Sequence, residues 1–393
     1  MKKILIISDW GPPMLDGPSI ILGNLLREFK PDELVLYKRK INEHLQIYNK
    51  KGNEVSAKMY SVFVPSPHSN KYAGFVRRIM RFIESAMIPI TVLKGVWINI
   101  IERPTYIMVT SDPPHCHFLI AGYLISILSR KKLFLYLLDP LEEFGSSGFQ
   151  KRLFKFFMPL IFHYASEVIV MNELLAEFYK QKYGVQCKIL YHSIDNRNVV
   201  VAKEEKAVNN DIYTILFSGN ISRFQIDSLL NLKDAIQLIP HKIRLLLFSP
   251  TNEIAIRESG FRGDHISIAH YDHDLLMNEL KKADILFLPL SFKQSDSIIV
   301  KAAFPSKTMD YLAAQRPILI HAPEDCFIVK YAKERMFAEV VTENNIVPLA
   351  EAIELLLFNK EKQQELIENS YTTLLRHKSS QKYRELIDIL EMN

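Results

Sequence analysis

Two short segments in the second half of the chain carry residue types suited to binding an anion. Residues 219–225 read Gly-Asn-Ile-Ser-Arg-Phe-Gln, and residues 305–310 read Pro-Ser-Lys-Thr-Met-Asp. Each opens a helical pattern, and helix N-termini favour negative charge because their backbone N–H groups are free and the helix dipole is positive there. Arg223 adds a permanent cation whose planar donors match a diphosphate, and Lys307 adds a second cation.

Both segments also have an ordinary structural interpretation. A strand, a turn and a helix with a single arginine are common, and Ser306 is a favoured helix N-cap residue. Lys307 and Asp310 fall in the first turn of the predicted helix, where they could address a phosphate and a sugar hydroxyl or form an exposed ion pair. The residue types alone leave phosphate binding and surface capping open at both places.

A third candidate lies near the start of the chain, between the first apolar run and the first helical pattern. Residues 9–19 include Gly17, which would let a backbone N–H group approach an anion at a helix N-terminus. The segment has no GxGxxG pattern and gives no support to a nicotinamide-dependent oxidoreductase. An ordinary Gly-Pro turn is the alternative.

The residue pattern does not favour a metal site. The three cysteines are far apart and form no CxxC pair, which disfavours a disulfide framework or a zinc site and fits a reducing compartment. Residues 272–274 read Asp-His-Asp, but an apolar helical pattern follows them, so Asp274 as a helix N-cap explains the pattern better than a metal–diphosphate site. We expect the Glu142-Glu143 pair to lie in a solvated loop, and we expect no bound metal.

Alternating apolar runs and helical patterns predict the elements that would position these residues. In the first half, strands are predicted at residues 3–8, 34–37, 106–110, 133–138 and 167–171, and helices at 19–29 and 118–128. In the second half, strands are predicted at 214–218, 243–249, 285–290 and 317–321, and helices at 226–238, 275–282 and 306–314. This alternation indicates α/β architecture with a doubly wound parallel sheet in each half.

The same patterns predict two domains and a terminal helix. We expect an N-terminal domain at residues 1–200 and a C-terminal domain at 201–372, joined by the polar stretch at 195–211. Tyr383, Leu386, Ile387 and Leu390 form one apolar stripe of a last helix. We therefore expect residues 373–393 to pack back on the N-terminal domain.

Taken together, these motifs resemble a known family. Gly219-Asn220-Ile221 with Arg223 and Gln225, and Pro305-Ser306-Lys307 leading through residues 310–314 (Asp-Tyr-Leu-Ala-Ala) to Pro317, are similar to bacterial GT-B glycosyltransferases of retaining group 4. Weaker similarity continues at residues 110–114, 138–140, 191–195, 270–271 and 283–284. The resemblance covers nearly the whole chain and implies two Rossmann-like domains that face each other across a cleft.

The resemblance implies transfer of a sugar from a UDP- or GDP-linked donor to a hydroxyl acceptor without a metal or a permanent cofactor. Arg223 and Lys307 would hold the diphosphate and offset the charge that develops on the leaving group. Asp310 would accept hydrogen bonds from the ribose hydroxyls. Asp139 and His115 are candidates for contacting the acceptor or the transferred sugar. The remaining donor-binding candidates are Gly17, Gly219, Asn220, Gln225 and Ser306.

One position departs from the family pattern. The family usually has two glutamates separated by seven residues; Asp310 stands at the second position, but the first falls on Ala302. The carboxylate expected to touch the donor sugar is absent there, which leaves the donor identity and the retaining outcome open. Two alternatives therefore remain: a nucleotide-sugar epimerase of the same fold and a non-catalytic nucleotide-sugar binding protein.

The distribution of positive charge raises the question of a membrane surface. The formal net charge is +5, and Lys71, Arg77, Arg78 and Arg81 share a helical segment with Phe75, Ile79, Phe82 and Ile83. A second basic-aromatic cluster spans residues 151–157. The apolar stripe could be core with a merely solvated basic face, or it could attach the protein to anionic lipid. No recognised motif supports nucleic-acid binding.

The expected setting follows from these properties. No apolar stretch reaches the length of a spanning helix, and the apolar run at residues 4–7 is too short for a secretion signal. We expect a cytoplasmic hexosyltransferase, peripheral on the inner face of the cell membrane. Its acceptor would be a lipid-linked glycan in the synthesis of capsule, O-antigen or exopolysaccharide.

Overall fold

A computed structural model describes residues 3–14, 16–40, 53–65, 74–111, 116–141, 148–199, 212–270 and 272–392. The chain divides into two compact units. The first comprises Met1–Ser193 and Ser379–Asn393, and the second comprises Ile194–Lys378.

The first unit is built on a seven-stranded sheet in the order β3-β2-β1-β4-β5-β6-β7, and every pair of neighbouring strands is parallel. Its central strands are buried along their whole length because helices cover both faces, as in other all-parallel sheets. The strands are β1 (Ile4–Ser8), β2 (Leu34–Arg39), β3 (Lys58–Val62), β4 (Tyr106–Thr110), β5 (Lys132–Leu137), β6 (Glu167–Val170) and β7 (Cys187–Ile189).

Within the described ranges, seven helices accompany this sheet. They are α1 (Gly17–Leu26), α2 (Gly74–Ala86), α3 (Ile88–Glu102), α4 (His117–Ser129), α5 (Gly148–Tyr164), α6 (Glu173–Tyr183) and, from the end of the chain, α15 (Ser379–Glu391). α15 packs on α1, where Tyr383 and Phe29 meet edge to face. α3 packs closely on α4, since a side chain at Gly95 would collide with Ile125.

The second unit has a six-stranded sheet in the order β10-β9-β8-β11-β12-β13, again parallel throughout. Its strands are β8 (Tyr213–Ser218), β9 (Ile243–Ser249), β10 (Ile266–His270), β11 (Ile285–Pro289), β12 (Ile318–His321) and β13 (Glu339–Val341). Its helices are α7 (Ile226–Ile236), α8 (Glu253–Glu258), α9 (His273–Lys282), α10 (Ile298–Lys301), α11 (Lys307–Ala314), α12 (Phe327–Arg335), α13 (Ile346–Phe358) and α14 (Lys360–Leu375).

The predicted fold class, two parallel sheets with alternating helices, is confirmed. One local prediction is wrong: α9 begins at His273, so Asp274 lies inside the helix and Asp272 precedes it. No helix in the described ranges is long and apolar enough to cross a membrane.

Candidate active site

Lys307 and Gly219, which lie 88 positions apart in the sequence, come together at the carboxyl end of β8. The Lys307 ammonium lies 3.8 Å from the centre of the buried Phe217 ring. A Cβ atom added to Gly219 would lie 3.1 Å from Lys307 Nζ. Within the described part of the chain, no carboxylate or carbonyl oxygen pairs with this ammonium. In its protonated form it is therefore a cation held against an aromatic face, with no anionic partner among the described residues.

Tyr311 fixes the position of Lys307 relative to Gly219. Its hydroxyl accepts a hydrogen bond from the backbone N–H of Ser218 (2.9 Å) and donates to the carbonyl of Phe287 (3.3 Å). Because Ser218 ends β8 and Phe287 belongs to β11, this buried side chain ties α11 to the two central strands of the sheet. The sequence motif contained Tyr311, but nothing in its residue type indicated this contact.

Burial shifts the pKa values of Lys307 and Asp310 towards neutral pH. Desolvation lowers the pKa of Lys307 to about 7, although the negative charge of Asp310 acts to raise it. Desolvation also raises the pKa of the Asp310 carboxyl to about 7, although the positive charge of Lys307 acts to lower it. The two groups lie one turn apart on α11, so a proton change on either is felt by the other.

The predicted diphosphate arginine lies on the loop between β8 and α7. Arg223 is exposed, its guanidinium carbon is 4.8 Å from the Phe224 ring centre, and it forms no ion pair with any described residue. Asn220 is exposed on the same loop. Gln225 accepts a hydrogen bond from the Ser222 hydroxyl (2.6 Å), so its amide oxygen stabilises the loop itself.

Ser306 occupies the predicted N-cap position of α11, but its backbone is helical and its hydroxyl makes no capping bond. Ser306 therefore stands at the predicted N-cap position of α11 without making a capping hydrogen bond through its side chain. Ala302, at the position where the resembling family carries a glutamate, is only 3% exposed. A carboxylate there would be buried, which gives a physical reason why a small apolar residue stands at this position.

A neighbouring turn, which the sequence did not single out, borders the same loop. Ser291 donates its backbone N–H to the carbonyl of Phe224 (2.8 Å). One carboxylate oxygen of the buried Asp227 accepts from the N–H groups of Phe292 and Lys293 (2.8 and 2.9 Å). These bonds place the turn after β11 beside the loop after β8, at the same edge of the sheet.

In the first unit, Asp139 lies just beyond β5, at the carboxyl edge of the sheet. Desolvation by burial raises the pKa of its carboxyl to about 6. The backbone carbonyl of Asp139 accepts from the Tyr179 hydroxyl (2.9 Å), and that hydroxyl also accepts from the N–H of Leu141 (2.8 Å). The chain therefore holds the loop through its backbone, while no side chain in the described ranges pairs with the Asp139 carboxylate.

Gly17 is the first residue of α1, and Asp16 is its N-cap. The Asp16 carboxylate accepts from the N–H and the hydroxyl of Ser19 (3.0 and 2.8 Å). Lys38, from β2, donates to the carbonyls of Gly11 and Pro12 in the same loop. The Asp16 carboxylate thus already accepts from the Ser19 N–H, one of the free N–H groups at the start of α1 that were predicted to bind an anion.

A buried charge network, missed from the sequence, joins the ends of three strands in the first unit. Arg39 contacts Asp9 (3.0 Å) and Glu84 of α2 (2.8 Å), and the Ser111 hydroxyl donates to Asp9 (2.6 Å). All four side chains are buried. His117 Nδ1 donates to the carbonyl of Glu84 (2.8 Å), and burial lowers the pKa of this histidine. The only sequence signal was the position of Asp9 and Arg39 at the ends of apolar runs.

His115, the predicted acceptor-side residue, lies outside the described residues, as do residues 112–114 and 142–143. Among the residues that are described, no group of three or more His, Cys, Asp or Glu side chains could hold a metal ion.

Comparison with solved structures identifies the architecture. HepE of Anabaena, in complex with UDP-glucose, matches with a TM-score of 0.70 and 13% identity over 100% of both chains. Sucrose-phosphate synthase of Thermosynechococcus elongatus matches with a TM-score of 0.70 and 14% identity over 100% of this chain and 99% of that chain. The chain has the GT-B fold of glycosyltransferases.

The fold also occurs outside the transferases. A UDP-N-acetylglucosamine 2-epimerase candidate from Listeria monocytogenes matches with a TM-score of 0.58 and 12% identity over 99% of this chain and 96% of that chain. No protein-family model matches the sequence, and no curated protein matches it.

Proposed function

We propose that this chain is a glycosyltransferase that moves a sugar, of the hexosyl class, from a nucleotide-diphosphate sugar to a hydroxyl acceptor. The observation that carries the proposal is the Lys307 ammonium beside Gly219, unpaired among the described residues, at the carboxyl end of a parallel sheet. Ligands of open α/β sheets bind at this edge, and an ammonium group there suits a diphosphate. HepE, which shares the GT-B fold, has been crystallised with UDP-glucose.

In the proposed reaction the bond between the anomeric carbon and the diphosphate oxygen breaks. The nucleoside diphosphate leaves with the electron pair, and the acceptor oxygen bonds to the anomeric carbon and gives its proton to a base, for which the Asp139 carboxylate is the candidate. Lys307 and Arg223 offset the negative charge on the leaving diphosphate. A well-placed donor of this kind stabilises a transition state by about 3 kcal/mol. In this scheme the two side chains do the work that a metal ion does in other sugar transferases.

We propose donor-binding and acceptor-binding roles for the other candidate residues. Asp310 accepts from the ribose hydroxyls, while Gly219, Asn220, Gln225 and Ser306 line the donor, and Gly17 adds a backbone contact to it. Asp139, with its pKa raised to about 6, has a carboxylate suited to accepting a proton near neutral pH. His115 remains a proposed contact of the acceptor.

The acceptor we propose is a lipid-linked glycan at the inner face of the cell membrane, in the synthesis of a surface polysaccharide. Group 4 membership and retention of anomeric configuration belong to the same proposal. The orientation of α2 supports the location at the membrane. Phe75, Ile79, Phe82 and Ile83 are exposed, whereas Glu84 and Ser85 are buried. The apolar stripe is therefore not core, and membrane attachment is the alternative it favours.

A thermal-shift screen with UDP-, GDP-, ADP- and CDP-sugars tests donor binding, because a bound ligand raises apparent stability by mass action. The strongest binder is then incubated with the enzyme and a glycolipid extract. A transferase releases the nucleoside diphosphate and labels the lipid. A product that keeps its nucleotide would show an epimerase instead, and binding without any turnover would show a non-catalytic binding protein.

A further inference from the structure

The outer face of α3 carries apolar side chains in a single row. Ile90, Leu93, Trp97, Ile100 and Ile101 recur at helical spacing, and all are exposed, Leu93 by 71% and Trp97 by 50%. The opposite face of α3 packs on α4. Lys94, between the two faces, donates its ammonium hydrogen to the carbonyl of Ser61 (2.6 Å). The exposed row thus contains no charge, although it runs the length of a 15-residue helix.

Two neighbouring helices also expose apolar side chains. α2 contacts both α3 and α5. The ring of Phe82 on α2 lies 5.8 Å from that of Phe149 on α5, and both rings are exposed. Further along α5, Phe156 and Leu160 are exposed as well. Exposed apolar side chains concentrated on neighbouring helices in this way are unusual on soluble proteins and mark interaction surfaces.

Among the described residues, the exposed charge on these helices has one sign. The described charged side chains that are exposed on α2, α3, α4 and α5, or next to their ends, are basic: Arg78, Arg103, Arg130, Lys132, Lys151, Arg152 and Lys155. The two carboxylates of α2 and α3 are turned inward, where Glu84 pairs with Arg39, and Glu102 pairs with Lys3 and Lys58. A second copy of the chain would set positive charge against positive charge. An anionic lipid surface is complementary in both charge and polarity.

We propose that α3 is a bilayer-docking helix, which lies flat in the headgroup region of an anionic membrane with Leu93, Trp97 and Ile100 in the acyl boundary. α2 and α5 then supply cations to the lipid headgroups. Tryptophan favours this interfacial depth because its ring is apolar and its N–H is polar. The proposal deepens the membrane attachment in the proposed function, but it does not depend on the transfer reaction.

Trp97 itself reports the docking. The chain has two tryptophans, so Trp10→Phe leaves Trp97 as the only indole fluorophore. With vesicles made of equal parts phosphatidylglycerol and phosphatidylcholine, we expect its emission to shift to the blue and to be quenched by brominated acyl chains. Pure phosphatidylcholine should give a weaker response, and added salt should reduce binding. Vesicle binding with unchanged Trp97 emission would show attachment through another surface and would overturn the proposal, as would a blue shift that follows self-association without lipid.

A matched pair of variants separates docking from non-specific stickiness. Leu93→Gln should weaken vesicle partitioning by about tenfold, because one large side chain no longer enters the acyl boundary. Ile254→Gln, on α8 of the other unit and exposed by 67%, should leave partitioning unchanged. Equal partitioning of both variants would refute the role of α3. Both should retain the nucleotide-sugar affinity of the wild type, so a failed donor screen with intact vesicle binding would contradict the proposed function alone.

Discussion

Replacing Lys307 by methionine should remove the alkaline limb of the pH dependence of donor binding. Burial lowers the pKa of Lys307 to about 7 in the free protein. A bound diphosphate would stabilise the ammonium form and raise that pKa, so binding takes up a proton whenever the free lysine is neutral. The affinity should therefore fall as the pH rises above about 7, by up to tenfold per pH unit. Between about pH 7 and pH 9 the loss approaches 50-fold, or about 2.3 kcal/mol.

Asp310 produces the opposite limb. Burial raises the pKa of its carboxyl to about 7, so the carboxylate that would accept from the ribose hydroxyls is lost as the pH falls below that value. The wild-type affinity should thus pass through a maximum near neutral pH, with apparent pKa values that belong to the pair. Asp310→Asn should flatten the acid limb and leave the alkaline limb.

Isothermal titration calorimetry with a nucleotide sugar measures both limbs, because the diphosphate of the sugar ester has no proton that titrates in this range. Lys330→Met is the matched control, since Lys330 is an exposed lysine on α12 of the same unit. It should reproduce the wild-type curve. A wild-type affinity that is flat over this range, or an alkaline limb that survives in Lys307→Met, would refute the reasoning.

Three further substitutions test the framework around the sites. Gly219→Ala places a Cβ atom on a residue with φ +108°, 3.1 Å from Lys307 Nζ. It should lower the free energy of unfolding in urea by about 1–2 kcal/mol and weaken donor binding about tenfold. An unchanged donor affinity would count against the site. Tyr311→Phe leaves the buried N–H of Ser218 without its hydroxyl acceptor and should lower the free energy of unfolding by about 1–3 kcal/mol, whereas equal stability would show that the hydroxyl does not position α11. Arg39→Met leaves Asp9 and Glu84 buried without their cation and should cost about 3–5 kcal/mol in chemical denaturation. The exposed-site control Arg262→Met should change stability by less than about 0.5 kcal/mol, and a similar loss in both variants would contradict the role of the network.

The central strands of both sheets are predictable from the sequence, and the edge strands are not. β1, β4 and β11 are buried from end to end, so their sequences are continuous apolar runs. The sequence patterns assign no strand to β3, β7, β10 or β13, which are the four edges of the two sheets. Each edge strand is largely half-buried or exposed, and therefore lacks the apolar run that marks its neighbours.

The sequence also predicts which residues belong to the site, but not the contacts between them. Gly219 and Lys307 could be selected because each opens a helical pattern with residues that suit an anion. Their close approach, and the hydroxyl of Tyr311 that maintains it, depend on the pairing of β8 with β11, which no local pattern specifies. The orientation of α2 was likewise open, since its sequence allows either face to be buried. The pairing of Glu84 with Arg39 shows which face points inward.

A crystal structure with a bound nucleotide sugar tests the central claim most directly. We expect Lys307 Nζ to lie within about 3 Å of a diphosphate oxygen, in the space beside Gly219 at the end of β8. A diphosphate bound elsewhere on the chain, with the Lys307 ammonium still resting on Phe217 and no anion near it, would contradict the assignment of this site.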